Sequence, residues 1–310
     1  MNLQSLIDQF IEFRQSLGEQ WPSNCTLRVF GRFIGAYAEI ADVSPGQVNR
    51  FLVGAGPITL TWHVKLSSLR TFYQYAVSRG YVDKAPLPTI FPKRPPTFVP
   101  YVYSHDELAR LLQAAKSFER PSSLEPGTLH LVLLVIYATG LRIRELVRLD
   151  RADVNLQEFL MKVRQSKFGK TRLVPFAPQL QRVLLEYHSR NPASGDGVPF
   201  FAMRCGGRIK VDTLQHNYRV LCDRIGIRRA DGASHQPRIH DLRHTFAVHR
   251  LISWYRQGAD VQRLLPLLSV YLGHVHIRAT QVYLSMTPEL LEEAGNRFEQ
   301  YATNMEVCHD

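Results

Sequence analysis

The sequence predicts a mainly α-helical protein with a small antiparallel sheet. Apolar residues recur three and four positions apart through most of the 310-residue chain, as they do on the buried face of a helix. Two short strand-like runs, "EFLMKVR" and "TRLVPF", flank a segment that contains a glycine, which indicates a β-hairpin. The content of 45% hydrophobic and 21% charged residues is typical of a globular protein with its own core.

Residues 1–90 are predicted to form a module of short helices. The stretches "LQSLIDQFIEFRQSLG", "TLRVFGRFIGAYAEI" and "VKLSSLRTFYQYAVSRGYV" all show the helical spacing. Six prolines in the 17 residues "KAPLPTIFPKRPPTFVP" then prevent a helix from continuing and favour a stiff linker. We therefore predict a helical domain over 1–90, a Pro-rich linker over 91–102 and a second domain over 103–310.

The second domain is also predicted to be mostly helical. It opens with "SHDE", in which Ser104 and Glu107 form a capping-box pattern. The apolar run 128–138 is too short to span a bilayer and indicates a buried helix, which Gly140 ends. "RIRELVRLD" indicates a short helix after it. Beyond the hairpin we expect helices over 178–190, 211–224, 240–257, 260–272 and 288–300.

The charge of the chain favours a polyanionic partner such as nucleic acid. The 38 Lys and Arg residues exceed the 27 Asp and Glu residues, for a net charge of +11. A merely basic globular protein is the alternative. Residues 281–310 differ, with one arginine against six acidic residues, so this tail is expected to face protein rather than phosphate.

Cysteine content and the N-terminal sequence favour a cytoplasmic protein, which a DNA partner would place at the nucleoid. The four cysteines form no CxxC pair, which favours a reducing compartment. "MNLQSLIDQF" lacks the basic and apolar regions of a signal peptide. We expect no membrane partner.

Two arginine motifs could bind a phosphate. In "HDLRH", His240 and Arg243 lie three residues apart and project from one helix face, although such a pair is more often a polar surface or a satisfied buried pair. In "TGLRIRELVRL", Arg142 stands where one helix has ended and the next begins, and a helix N-terminus favours anions. Neither motif alone is specific.

Three further residues complete a possible phosphoryl-transfer site. Lys167 is expected at the hairpin tip, where a lone lysine is ordinarily solvated. In "YLGHVHIRATQVYLS", His274 precedes Tyr283 by nine residues, and from this stretch alone Tyr283 could be a packing residue or a nucleophile. Arginines can neutralise the charge that develops on phosphate, a lysine can protonate a leaving oxygen, and a base can activate a tyrosine.

The motifs taken together resemble those of the tyrosine recombinase (phage integrase) family. "ATGLRIREL", "SKFGKTR", "HDLRHTFA", "LGH" and "TQVY" occur in the family's order, and "VKLSSLRTFYQYAVSRGYVDKAPLP" resembles the end of its helical core-binding domain. The resemblance implies a core-binding domain followed by a catalytic domain. It also implies site-specific recombination through a 3′-phosphotyrosyl intermediate, without metal or ATP.

The resemblance implies a role for each matching residue. Arg142 and Arg243 would clamp the phosphate, and Lys167 would be the general acid toward the 5′ oxygen. His240 would accept the tyrosine proton and His274 would be a second donor to the phosphate.

Tyr283 would be the nucleophile. Glu145 matches a family carboxylate that we interpret as structural, and Lys170 is an alternative to Lys167. Leu284 and Ser285 follow the tyrosine, as in the transposon-associated branch.

The implied partner is double-stranded DNA with inverted-repeat core sites, bound by a tetramer of the chain. The helix expected at 288–302 could dock on a neighbouring protomer or on its own domain. No cofactor is expected. A zinc site is disfavoured because Arg243 stands between His240 and His244. A type IB topoisomerase and a DNA-binding protein without catalysis are the remaining alternatives.

Overall fold

The computed structural model describes residues 1–18, 24–95, 99–118, 124, 127–164, 171–190, 197–231, 233 and 235–306. The chain forms two compact units, Met1–Phe98 and Val99–Asp310, called here the N-terminal and the C-terminal unit. Helices dominate both units, and the sheet found in the described residues is small and antiparallel. The predicted fold class is therefore confirmed. No helix in the described part of the chain is long and apolar enough to cross a membrane.

The N-terminal unit consists of helices packed around an apolar core. They are α1 (Leu3–Ser16), α2 (Asn24–Ile34), α3 (Pro45–Val53) and α4 (Leu60–Ser78). The side chains at the three and four spacing, such as Phe10, Phe30 and Phe72, are all buried in this core. Full burial of such a side chain contributes roughly 1.5 to 3 kcal/mol, so the repeating pattern is what assembles the unit.

The Pro-rich segment after α4 packs partly on that helix. Residues 79–95 contain no helix or strand, as the prolines predict. The Phe91 ring, however, lies 6.5 Å from the Trp62 ring, and the Arg70 guanidinium lies over it at 5.5 Å. Proline prevents regular hydrogen bonding but does not stop a neighbouring aromatic ring from packing, so the start of the expected linker contacts α4.

The C-terminal unit is built around one apolar helix. Its helices are α5 (His105–Lys116), α6 (Thr128–Thr139), α7 (Ile143–Leu146), α8 (Pro178–Arg190), α9 (Val211–Arg224), α10 (Ile239–Arg256), α11 (Val261–Leu272), α12 (Arg278–Gln281) and α13 (Pro288–Glu306). The capping box between Ser104 and Glu107 starts α5. Because α6 is apolar on nearly every side, it is buried against α5, α8, α9 and α10.

The sheet has three strands in the order β1 (Val154–Asn155), β2 (Leu160–Val163) and β3 (Arg172–Pro175). The predicted hairpin is the β2–β3 pair, in which Met161 faces Val174. The sequence did not predict β1, since two residues are too short for an alternating pattern. The connection between β2 and β3, residues 165–170, lies outside the described residues.

Helix α10 joins two apolar clusters. Its first turn, with Ile239 and Leu242, packs in the large core around α6. Its later turns, with Phe246 and Leu251, pack in a second cluster together with α11 and Leu290 of α13. The polar residues of the "HDLRH" motif are thereby held where the two clusters meet.

The C-terminal helix α13 packs on α10 of the same chain. Leu290 is buried, and Arg256 of α10 forms ion pairs with Glu289 (2.8 Å) and Glu293 (2.7 Å). The sequence left open whether this helix docks on a neighbouring protomer or on its own domain. In the structure it docks on its own domain.

Candidate active site

The end of α11 gathers three arginines. Three consecutive backbone carbonyls there each accept a hydrogen bond from a different arginine. The pairs are Arg172 with Tyr271 (3.1 Å), Arg243 with Leu272 (2.6 Å) and Arg142 with Gly273 (3.0 Å). The last carbonyls of a helix lack intrahelical partners and carry the negative end of its dipole, which favours cations. Gly273 ends the helix at φ +68°, a conformation that suits glycine.

Glu145 holds two of these arginines. Arg172 donates to both carboxylate oxygens, at 2.9 and 2.8 Å. Arg142 donates through its side chain at 2.8 Å and through its backbone N–H at 3.0 Å. Burial favours a raised pKa for Glu145, but the hydrogen bonds and charges of Arg172 and Arg142 outweigh it and hold the pKa at about 2. The carboxylate is therefore ionised at neutral pH.

Arg243 is buried, with 1% of its surface exposed. Besides the carbonyl at the end of α11, it donates to the Gly140 carbonyl at 2.6 Å and to His274 Nε2 at 3.0 Å. Burial, with Arg142 nearby, lowers its pKa to about 10, so it stays charged at neutral pH. Gly140 is at φ +62°, and a Cβ there would approach Phe246 to 2.7 Å, which explains a glycine at this contact.

His274 adopts a tautomer set by its neighbours. A guanidinium can only donate, so Nε2 must accept from Arg243 and the ring proton lies on Nδ1, 2.7 Å from Thr280 Oγ1. Burial and the nearby arginines lower the pKa of His274 to about 4, so the ring is neutral. In this state His274 orients Arg243 and has no proton to give from Nε2, unlike the donor role that the family resemblance implies.

Tyr283 lies in a 3₁₀ turn, Val282–Ser285, with 2% of its surface exposed. Its hydroxyl is 3.1 Å from His244 Nδ1, and its ring stacks on His274 with centroids 6.1 Å apart. Burial raises the pKa of Tyr283, while the charges of Arg243 and Arg142 oppose that rise. Burial lowers the pKa of His244 to about 3, so this imidazole is neutral and can accept the hydroxyl proton in a hydrogen bond.

His240 lies beside His244 and faces a cavity. The two rings are 4.8 Å apart at nearly a right angle. Burial and the neighbouring arginines lower the pKa of His240 to about 4. The cavity, of about 450 Å³, has Arg219 and Arg238 in its wall, and the described residues that line it include no carboxylate. Its lining chemistry favours an anion, although the Tyr283 hydroxyl contacts His244 rather than His240.

The structure brings together five of the six predicted residues, namely Arg142, His240, Arg243, His274 and Tyr283. Lys167, with its alternative Lys170, lies outside the described residues. No group of three or more His, Cys, Asp or Glu side chains in the described ranges is arranged to hold a metal ion.

Two site residues were missed by the sequence reasoning. His244 follows His240 by four residues on the same helix face and was weighed only as a metal ligand. Arg172 stands inside the quoted "SKFGKTR" motif, but nothing in its spacing indicates that it reaches Glu145. A search for every arginine and histidine within the matched motifs would have included both.

The C-terminal unit matches a known protein family. Residues 102–289 match the phage integrase family. The chain is 37% identical over 248 residues to a putative integrase/recombinase, y4rB, of Sinorhizobium fredii, covering 77% of this chain and 78% of that protein. It is 32% identical over 295 residues to y4rE of the same organism, a second putative integrase/recombinase, covering 94% of both.

The fold also matches solved structures. One is a Tn1549 transposon integrase in complex with a circular intermediate DNA, with a TM-score of 0.69 and 15% identity over 97% of this chain and 99% of that one. Such a likeness shows a common fold. Because the family match spans more than half of the chain and both relatives exceed 30% identity, the chain belongs to the phage integrase family of tyrosine-type site-specific recombinases.

Proposed function

We propose that this protein cleaves and rejoins double-stranded DNA through a 3′-phosphotyrosyl bond to Tyr283, in the movement or integration of a mobile element. The observation that carries the proposal is the convergence of Tyr283 with two arginines. The hydroxyl contacts His244, and the charges of Arg243 and Arg142 act on it. These two arginines donate to successive carbonyls at the end of α11. A tyrosine that served packing alone would need no such cluster of cations.

In the proposed cleavage, the Tyr283 oxygen bonds to phosphorus as the bond from phosphorus to the 5′ oxygen breaks. The hydroxyl proton passes to His240, and Lys167 gives a proton to the departing 5′ oxygen. Arg142 and Arg243 stabilise the charge that develops on the other phosphate oxygens. In rejoining, a 5′ hydroxyl attacks the phosphotyrosyl bond and Tyr283 recovers its proton. Each step exchanges one phosphate ester for another, so the proposal uses neither ATP nor a metal ion.

The proposal requires the site to open. Tyr283 and Arg243 are 2% and 1% exposed, so neither reaches a phosphate in the present arrangement, whereas the Arg142 side chain is 25% exposed. In this resting arrangement His244 is hydrogen-bonded to the Tyr283 hydroxyl. We assign to His240, on the cavity wall, the role of accepting the hydroxyl proton during attack. His274 can donate to phosphate only after Arg243 has released its Nε2.

We propose DNA with inverted-repeat core sites as the substrate and a tetramer as the active assembly. The net charge of +11 and the basic cavity beside His240 support binding to phosphate. The relatives named integrase/recombinase, and the Tn1549 transposon integrase with its circular intermediate DNA, support a role on a mobile element. Binding should weaken steeply as salt rises, because each neutralised phosphate releases counterions.

Replacement of the nucleophile tests the proposal. Tyr283→Phe should form no covalent adduct with a nicked suicide DNA substrate, as measured on a denaturing gel, and should bind that DNA like the wild type. Tyr271→Phe is the matched control, since its hydroxyl donates to the Pro175 carbonyl in the same unit but lies outside the proposed chemistry. Adduct formation by Tyr283→Phe would sink the assignment, and plasmid relaxation without exchange between two sites would contradict recombination.

A further inference from the structure

We infer that Arg172 is a positioning residue for strand cleavage, which fixes the Glu145 carboxylate so that Glu145 can aim Arg142 at the scissile phosphate. The inference rests on the proposed function and adds to it a residue that would never touch DNA. Its support is a continuous set of contacts that runs from Arg172 on β3, through Glu145 on α7, to the partly exposed side chain of Arg142.

All three guanidinium nitrogens of Arg172 donate hydrogen bonds within the C-terminal unit. It is the first residue of β3, and its side chain is 12% exposed. Nη1 and Nη2 donate to the two oxygens of Glu145, and Nε donates to the Tyr271 carbonyl. One planar group therefore ties the sheet to α7 and to the end of α11. A lysine could not reproduce this, because it offers a point charge instead of a fork of donors.

The fit around Arg172 is close. A Cβ on Gly273 would lie 2.9 Å from Arg172 Nη1 and 3.0 Å from its Cζ. Gly273 accepts from Arg142 on its carbonyl, so the same glycine leaves room for one arginine and receives the other. Movement of Arg172 would therefore disturb both groups that hold Arg142, the Glu145 carboxylate and the Gly273 carbonyl.

Glu145 in turn fixes the position of Arg142. Each of its oxygens accepts one hydrogen bond from Arg172 and one from Arg142. Arg142 is the more exposed of the two proposed phosphate arginines. Its side chain is held by Glu145 and by the Gly273 carbonyl. Loss of Arg172 would leave each oxygen of the buried carboxylate with a single donor.

Loss of Arg172 should also change how Glu145 titrates. The charged groups that face this carboxylate are Arg142 from its own helix start, Arg172 from β3 and Arg243 from α10, with His240 near by. Burial by itself favours the neutral acid, and Arg172 provides the largest opposing effect on the pKa. A protonated Glu145 would hold the Arg142 guanidinium weakly.

The test is single-turnover adduct formation at saturating DNA between pH 5 and 8. Arg172→Gln should cleave roughly tenfold to a hundredfold more slowly than the wild type at pH 8, the usual loss when a residue that orients an active-site group is removed. Its rate should fall further toward pH 5 than the wild-type rate does. DNA affinity, measured by fluorescence anisotropy, should change less than about threefold, because Arg172 makes no phosphate contact in this scheme.

Two further variants separate positioning from general damage. Arg208→Gln is the matched control, because Arg208 also donates to a carboxylate, Asp150 (2.6 Å), and to a backbone carbonyl, Val147 (2.9 Å). It should keep the wild-type pH profile. Arg172→Lys keeps the positive charge but not the fork of donors, so it should cleave more slowly than the wild type, faster than Arg172→Gln, and with the wild-type pH profile. If Arg172→Gln does not fold, a wild-type cleavage rate in Arg172→Lys overturns the inference.

The outcomes are distinct. If the wild type forms the adduct and both Arg172 variants keep its rate and pH profile, the inference about Arg172 is overturned and the proposed function stands. A loss confined to DNA affinity, or a loss equal at every pH and unrelieved by lysine, also overturns the inference. A wild-type protein that forms no adduct overturns the proposed function and this inference together.

Discussion

The two units of the molecule differ in what they bury. In the described part of the N-terminal unit, the buried side chains are apolar or aromatic apart from Ser68, whose hydroxyl donates to the Val64 carbonyl of its own helix. The C-terminal unit buries charged groups as well, namely Glu145, Asp153, Asp241 and Arg243. Burial of a charge costs free energy unless it is well paired, so charges are expected inside a protein mainly where they serve specificity or chemistry. The contrast separates a core that provides stability from one that also holds the candidate active site.

Arg243→Gln should have the largest effect and should change both stability and cleavage. The Gly140 and Leu272 carbonyls would lose a charged donor, which should lower the free energy of unfolding by about 2 to 4 kcal/mol. Adduct formation should fall by about a thousandfold or more, since a main source of charge stabilisation is removed. Urea unfolding and single-turnover cleavage measure the two effects. A variant that cleaves normally would show that this buried charge is only structural.

Phe72→Ala probes the apolar core for comparison. Phe72 is buried in the N-terminal unit, and removal of such a ring should lower the free energy of unfolding by about 3 to 5 kcal/mol. Cleavage at saturating DNA and low temperature should be unchanged, because no reacting group is altered. Urea unfolding in a Trp254→Phe background reports on this unit alone, since the remaining tryptophans, Trp21 and Trp62, belong to it. A matching loss of the cleavage step would break the proposed separation between the units.

Replacement of His240 and His244 should sharpen the assignment of the proton acceptor. His240→Gln should slow adduct formation by about a hundredfold, the usual contribution of a general base. His244→Gln should slow it by less than about tenfold, because we assign His244 only the resting contact with the hydroxyl. Single-turnover cleavage at saturating DNA measures both. The opposite order would transfer the base role to His244.

The site histidines should make folding sensitive to acid. Burial lowers the pKa of His240 and His274 to about 4 and that of His244 to about 3, from an ordinary value near 6.5. The unfolded chain therefore binds more protons over this interval, so stability is full above about pH 6.5 and declines as the pH falls toward 4. Urea unfolding of the wild type across this range should show the decline. A His240→Gln variant should show a smaller one.

Arg256→Gln should have the smallest effect. Its ion pairs with Glu289 and Glu293 join α13 to α10 but lie at an exposed surface, where water and salt screen them. The urea midpoint should change little, and α13 should stay in place through Leu290. Limited proteolysis within α13 would report its release. Release on loss of Arg256 would mean that the pairs, not the apolar contact, hold this helix.

The site was only partly predictable from the sequence. Each of the five motifs carries a residue type that phosphoryl transfer requires. Their order indicated Arg142, Lys167, His240, Arg243, His274 and Tyr283. The contact between His244 and Tyr283 was not predictable, since it depends on how a 3₁₀ turn packs against α10. The hydrogen bond that makes His274 an acceptor likewise comes from an arginine 31 residues away along the chain.

The sequence by itself determined the helical spacing, the breaks at glycine and proline, the hairpin and the family of the chain. These follow from local periodicity and from residue types at short spacing. Only the tertiary structure decided that the end of α11 receives three arginines, that Arg172 supports Glu145, and that Tyr283 and Arg243 are buried. Those features join segments far apart in the chain, and their geometry depends on helix ends, side-chain volume and burial that no local pattern contains.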